Sequence, residues 1–310
     1  MSRRTKWATA TSTLAIAALL GLGASVAPSS ARAATAAPVA AQAHQAITLT
    51  TVSYGTDPLQ TMTVFAGPHP NGRAVVMVHG GGFRSSVRDP LKLATNARSL
   101  ASQGDTVFDV NYRSDVAGVG IADQVADVVA GIRLTIADAR TFGADPARLA
   151  VIGGSSGGLL AADAAEELNT LAPGTVRSVV TLSAPTDFAS ALSYWEGVGG
   201  SLGKTHLKDL TGTLACTVVT VKHVTTYDCP AALEAQYSPD LQVTSSNCPA
   251  QWLIVNGTDE IQPTSQAVAL DDALVAQGCP QTLDIFPDTA HSFDYWTVEL
   301  PEIESALAAA

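Results

Sequence analysis

The sequence predicts an α/β fold: a mostly parallel central sheet with helices on both faces and a cap-like insertion. Three observations carry that expectation. Short apolar runs alternate with stretches of helical periodicity, the signature of strand–helix–strand units. Of 310 residues, 46% are hydrophobic and only 15% are charged, which supports a sizeable core and excludes a disordered chain. One long stretch, about 189–247, breaks the rhythm between two strands, as an inserted segment does.

Taken in order, the first 33 residues hold Arg3, Arg4, Lys6 and Arg32 but no acid. A basic start, an Ala/Leu-rich run and Ala31-Arg32-Ala33 together read as a secretory signal peptide over 1–33, so the protein is expected to be secreted. Arg3-Arg4 also raises twin-arginine export, although the residues after the pair match that signal poorly. Residues 34–45 read as a flexible Ala/Pro/Gln-rich leader, and 46–310 as one domain.

Within that domain, 47–54 and 62–65 read as strands, the first by its Thr/Val/Ile alternation. Residues 74–78 form an apolar run that leads into glycines and suit a strand buried on both faces. A strand over 106–112 precedes a helix over 121–142, where Val125, Val128, Val129, Ile132 and Ile136 keep helical spacing and Gly143 supplies the stop. Residues 149–152 are a short strand, followed at once by glycines and a helix near 157–168. Strands over 176–182, 252–255 and 282–286 follow, with a helix over 265–277 between the last two. The insertion lies between two sheet strands and is placed over one end of the sheet, the end where ligands bind in parallel α/β proteins.

Charge narrows the partners. With the leader removed, 13 basic residues face 28 acidic ones, a net charge of −15, which argues against nucleic acid and disfavours anionic substrates. No apolar run after residue 33 is long enough to span a membrane. Cys216, Cys229, Cys248 and Cys279 allow three pairings in an oxidising compartment. The pairing Cys216–Cys229 and Cys248–Cys279 is preferred: the first closes a local loop, and each member of the second sits just before a strand. A zinc site is the competing reading, but no C-x-x-C spacing supports it, and no metal or other cofactor is expected.

The most informative stretch is Gly153-Gly154-Ser155-Ser156-Gly157-Gly158, directly after a strand and before a helix. G-x-S-x-G in that context is a nucleophile elbow, a tight turn that lifts a serine hydroxyl above the sheet at a helix N-terminus. Two registers fit. Ser155 is favoured over Ser156 because the strand ends at Ile152 and both trailing glycines then fall in the first helical turn. In that register the Ser156 N–H becomes an oxyanion donor. A further match at Gly199-Gly200-Ser201-Leu202-Gly203 follows no strand and is read as a loop. His79-Gly80-Gly81-Gly82 follows the third strand, and its amides at Gly81 and Gly82 are the other candidate donors, with His79 bracing the loop.

A serine hydroxyl needs a base. Of six histidines, His291 lies just past the last strand, where the final member of a Ser…acid…His order belongs, while His44, His69, His79, His206 and His223 have other settings. The acid is expected after the preceding strand, where Asp259 and Glu260 are adjacent. Asp259 is preferred over Glu260, as the shorter acid that usually fills the role.

These residues resemble the α/β-hydrolase superfamily, specifically the HGGG-type secreted bacterial esterases related to hormone-sensitive lipase and to acetyl-xylan and feruloyl esterases. The likeness runs from about Ile47 to the C-terminus and includes Val110-Asn111-Tyr112-Arg113 and Asp145-Pro146-Ala147-Arg148. It implies a cofactor-independent serine esterase acting on a small-molecule or carbohydrate-linked ester. Gly154 departs from the pattern, which often has Asp there, and the 257–263 loop is one residue short. The insertion has no counterpart in the likeness; its Tyr194, Trp195 and Tyr227 either wall the substrate pocket or pack the insertion's own core. A prolyl-type peptidase would be expected to carry a large N-terminal propeller, for which this chain is too short, or a negatively charged amine-binding patch, and a non-catalytic binding module would be expected to have lost part of the constellation.

Overall fold

Every residue of the strand Ala74–Val78 is buried, and the reason is visible in its pleat. Ala74, Val76 and Val78 join one hydrophobic cluster while Val75 and Met77 join another. The strand Leu149–Gly154 divides the same way, Leu149 and Val151 against Ala150 and Ile152, as does Gln251–Gly257 with Trp252 and Ile254 against Leu253 and Val255. Continuous apolar runs of this kind are stable only where both sheet faces are covered.

The computed structural model describes residues 3–5, 46–84, 90–114, 117–222 and 224–310. In chain order the elements are β1 (Arg3–Thr5), β2 (Thr48–Ser53), β3 (Thr61–Ala66), β4 (Ala74–Val78), α1 (Pro90–Ser102), β5 (Thr106–Val110), α2 (Ile121–Asp138), β6 (Leu149–Gly154), α3 (Ser156–Leu171) and β7 (Ser178–Leu182). There follow α4 (Phe188–Val198), α5 (Gly200–Thr213), β8 (Thr217–Val221), β9 (Val224–Asp228), α6 (Ala231–Gln236), α7 (Pro239–Gln242), β10 (Gln251–Gly257), α8 (Thr264–Gln277), β11 (Gln281–Phe286) and α9 (Trp296–Leu307). The main sheet runs β1-β11-β10-β7-β6-β4-β5-β3-β2, parallel except for β3, which is antiparallel to both its neighbours. Residues of α2, α3 and α8 fill one cluster, and residues of α1 and α9 fill the other. The expected mostly parallel sheet with helices on both faces is therefore present. Among the described residues no helix is long and apolar enough to cross a membrane.

The signal peptide expected over 1–33 and the leader over 34–45 lie outside the described residues, apart from the three of β1. Several elements have no counterpart in the sequence reading. The helix α1 buries Leu93, Ala97, Leu100 and Ala101, and α9 buries Ile303, Ala306 and Leu307 beyond an internal Pro301. The segment between β7 and β10 folds into two helices, a hairpin and two short helical turns. Gly199 and Gly200 make the sharp junction of α4 with α5, and Ser201 lies inside α5 rather than in a loop. Both disulfides form as preferred: Cys216–Cys229 closes the base of the β8–β9 hairpin, and Cys248–Cys279 joins the segments entering β10 and β11.

The order of strands positions the site. From β4 the chain moves to β5 on one side, then returns to place β6 on the other side of β4. That reversal opens a crevice beyond the carboxyl ends of β4 and β6. The loops bearing His79–Gly82 and Ser155 leave the sheet there.

Stability should depend on pH through buried acids remote from that crevice. Asp163 and Glu166 on α3 are buried, their carboxyl oxygens have no hydrogen-bond partner among the described residues, and burial holds both well above the usual carboxylate range. Burial likewise pushes Asp109 and Asp240 up to about 7. Each group binds its proton more tightly folded than unfolded. The stability this confers is complete below about pH 4 and is lost as pH rises through about 7 and above. The thermal midpoint is expected to fall between pH 5 and 8, and the double substitution Asp163→Asn, Glu166→Gln is expected to flatten that slope in a melting series.

Candidate active site

The end of β6 runs into α3 without a spacer, so one residue must take the whole change of direction. Ser155 takes it, with φ 55° and ψ −131°, while Ser156 already begins the helix. The turn is held by Ser155 N–H donating to Leu182 O at 2.8 Å and Gly158 N–H donating to Ser155 O at 2.8 Å. Of the two serine registers, the structure puts Ser155 at the turn. Gly157 is required by approach: a Cβ there would overlap the carbonyl oxygens of Val78 and His79, so the first turn of α3 rests directly on the chain leaving β4.

That chain carries the glycine loop. Gly81 and Gly82 adopt φ 143° and 65° and line the same cavity as Ser155 and Ser156. His79 is buried beneath them, with Nδ1 2.7 Å from Gly80 O and Nε2 3.1 Å from the Asn111 side-chain amide. Its ring stacks on Tyr112 at 4.3 Å, and the Tyr112 hydroxyl donates to His79 O at 3.0 Å. Burial pushes the His79 imidazole below its ordinary pKa, and its stacking and polar contacts brace the loop. Arg113, the next residue, pairs with Asp127 at 2.8 Å and pins the same segment. The Asn111-Tyr112-Arg113 stretch therefore has a physical task in holding the glycine loop.

His291 follows β11 and faces the cavity, its side chain 21% exposed. Its partner corrects the sequence reading. His291 Nδ1 lies 2.5 Å from Oε2 of Glu260, whose side chain is fully buried, whereas Asp259 is exposed and accepts from the Thr258 hydroxyl at 3.0 Å. The backbone bonds of the loop after β10 accompany this choice. Thr258 and Asp259 still bond through their backbones to Phe286 O and Asp288 O, at 2.8 and 3.1 Å, which turns the Asp259 side chain outward. The next residue points inward, and the extra methylene of glutamate spans the gap.

Glu260 Oε1 accepts from Gly257 N–H at 2.7 Å and from the Ser183 hydroxyl at 2.8 Å. Ser183 Oγ in turn accepts from Ser292 N–H at 2.8 Å. Ser183 was not read from the sequence; its one signal is a hydroxyl at the carboxyl end of β7, the strand beside β10. Nearby, Tyr295 donates to Asp288 Oδ1 at 2.9 Å, and burial together with the Glu260 charge holds its phenol well above its ordinary pKa.

A cavity of about 300 Å³ joins these parts. Its floor is Ser155, Ser156, His291 and the glycine loop, with apolar walls from Phe83, Leu93, Ile261 and Phe293. The insertion contributes Trp195, His206, Asp209 and Leu210. Trp195 is buried and stacks on His206 at 4.1 Å, whereas Tyr194 and Tyr227 are absent from the cavity lining, the latter packing against the core. A hydroxyl, an imidazole tied to a buried carboxylate and backbone donors at a helix start form the equipment for nucleophilic attack on a carbonyl. Among the described residues no cluster of His, Cys, Asp or Glu could hold a metal ion.

Comparison with known proteins bears on this arrangement. The BD-FAE family matches residues 66–274. An acetylxylan esterase of Xylanibacter ruminicola is 26% identical over 254 residues, 80% of this chain, and the chain spans about half (46%) of that relative's length. Esterase B of Lactobacillus rhamnosis superposes with a TM-score of 0.64 at 21% identity, covering 86% of this chain and 87% of its own. Carboxyl esterase 2 of Tuber melanosporum superposes with a TM-score of 0.65 at 17% identity, covering 84% and 88%. These likenesses show the α/β-hydrolase fold.

Gly154 offers a test of how tightly the parts are packed. A Cβ there would overlap Ser292 Oγ and lie 2.8 Å from the Phe293 ring, in the loop that carries His291. Gly154→Ala is expected to cost about 1–3 kcal/mol in urea denaturation by overpacking. Gly197→Ala, in α4 with nothing near its Cβ position, is expected to leave stability unchanged or raise it.

Proposed function

The chain belongs to the BD-FAE family, and from that premise we propose that it hydrolyses carboxylic esters through an acyl-enzyme on Ser155. The observation that carries the reading is the His291–Glu260 pair at 2.5 Å, whose imidazole lines one cavity with a serine held at positive φ. In this mechanism Ser155 Oγ attacks the ester carbonyl and its proton passes to His291. Glu260 orients the imidazole through Nδ1 and stabilises the imidazolium. The oxyanion is held by the N–H groups of Gly81, Gly82 and Ser156, the last at the N-terminus of a 16-residue helix. Collapse expels the alcohol, which takes the proton from His291. Water, deprotonated by the same imidazole, then attacks the acyl-serine, and the acid leaves as the serine regains its proton. No step calls for a cofactor.

Two further points concern setting and substrate. The basic, acid-free start of the chain and the two disulfides support a secreted enzyme. The acetylxylan esterase relative and the mixed apolar and polar cavity wall support a short-acyl ester on a carbohydrate as substrate.

The test is p-nitrophenol release from acetate and butyrate esters. Ser155→Ala is expected to lower kcat by a factor of about 10³ or more. Glu260→Gln should lower it about 10²–10⁴-fold, while Asp259→Asn stays within about twofold of wild type. Equal rates for wild type and Ser155→Ala would remove Ser155 from the mechanism. A loss confined to Asp259→Asn would return the acid to that residue, and inactivity of every form would favour a binding protein.

A further inference from the structure

We propose that Ser183 is a positioning residue of this site, a hydroxyl that keeps acid and base aligned with each other; the inference rests on the esterase reading above. The Ser183 O–H donates to Glu260 Oε1 at 2.8 Å, and its oxygen accepts the N–H of Ser292 at 2.8 Å. Ser292 is the neighbour of His291. One oxygen atom thus ties the carboxylate to the chain segment that carries the imidazole.

The need for such a tie comes from the acid this chain uses. Glutamate has one more rotatable bond than aspartate, so its carboxylate is harder to hold in one plane. Gly257 N–H and Ser183 O–H both bind Oε1, which leaves Oε2 for His291 Nδ1 and fixes the plane from the opposite side. The pair is not satisfied by backbone alone: without the serine, Oε1 keeps a single donor and the Ser292 amide loses its acceptor.

The backbone supports the same conclusion. Ser183 sits at φ 54°, held between strands by its N–H donating to Val255 O at 2.8 Å. Glycine occupies that conformation without strain. A position kept for the turn alone has no use for a side chain, and what serine adds over glycine here is its hydroxyl. Ser183 is buried and is absent from the cavity lining, so it acts through Glu260 and the His291 loop rather than on substrate.

The experiment uses the full chain and p-nitrophenyl acetate, with wild type, Ser155→Ala, Ser183→Gly, Ser183→Ala, Glu260→Gln and the Ser183→Gly, Glu260→Gln double variant. Ser183→Gly is expected to stay folded, the relief of its positive φ offsetting the lost hydrogen bonds, to leave KM within about twofold and to lower kcat about tenfold or more. In the Glu260→Gln background the same substitution is expected to cost less than in wild type, because one of the hydroxyl's two partners is that carboxylate. Ser183→Ala should repeat the kcat loss if the glycine variant does not fold. The imidazole Nδ1–H resonance, followed by proton NMR without substrate, should move in the Ser183 variants. Wild-type kcat in a folded Ser183→Gly protein, or full multiplication of the two losses in the double variant, would overturn the assignment while leaving the esterase reading intact. Failure of wild type to exceed Ser155→Ala would instead bring down that reading and the assignment with it.

Discussion

Backbone must touch backbone where α3 meets the chain leaving β4, and much of the site follows from that contact. With no side chain at Gly157, the helix start lies against the carbonyls of Val78 and His79. This brings the N-terminal amides of α3, the hydroxyl at the β6 turn and the glycine loop to one place at the point where strand order reverses. His79 is buried there, stacked on Tyr112 with its ring nitrogens beside Gly80 O and the Asn111 side chain.

Conformational strain is concentrated in the same region. Among the described residues, six that are not glycine have positive φ, and four of them, Phe83, Ser155, Ser183 and Ser292, belong to the loops beyond the sheet that build this site. Each such residue costs on the order of 1–3 kcal/mol and persists only when its surroundings over-determine it. Here the surroundings are the parallel ladder itself. Ser155 and Ser183 donate their N–H groups to the carbonyls of neighbouring strands, so the strained turns extend the register of β6, β7 and β10. The rigid, doubly covered sheet holds the unfavourable angles in place.

The sheet was legible in the sequence because its strands are short apolar runs with alternating faces, a pattern that depends on neighbours along the chain. The elbow at 153–157, the glycine loop at 79–82 and the place of His291 after the last strand were legible for a similar reason, since each is a local string set against a strand end. The pairing of cysteines followed from where two of them enter adjacent strands. The carboxylate beside His291 was not legible because the choice between Asp259 and Glu260 depends on a distant segment: backbone bonds to Phe286 and Asp288 accompany the outward turn of Asp259. Ser183 left only a hydroxyl at a strand end, since its partners are 77 and 109 residues away. The insertion was opaque because α4 and α5 take their order from packing on each other and on the core, and Trp195 differs from Tyr194 only in which way it faces.

The cavity wall has two origins. Loops of the sheet supply Ser155, Ser156, His291 and the glycine amides, whereas Trp195, His206, Asp209 and Leu210 come from a segment placed between β7 and β10. Substitutions on α4 and α5 can therefore reshape what the crevice admits while the strained turns below keep their geometry. Such a division makes those two helices the natural ground for altering what the crevice accepts.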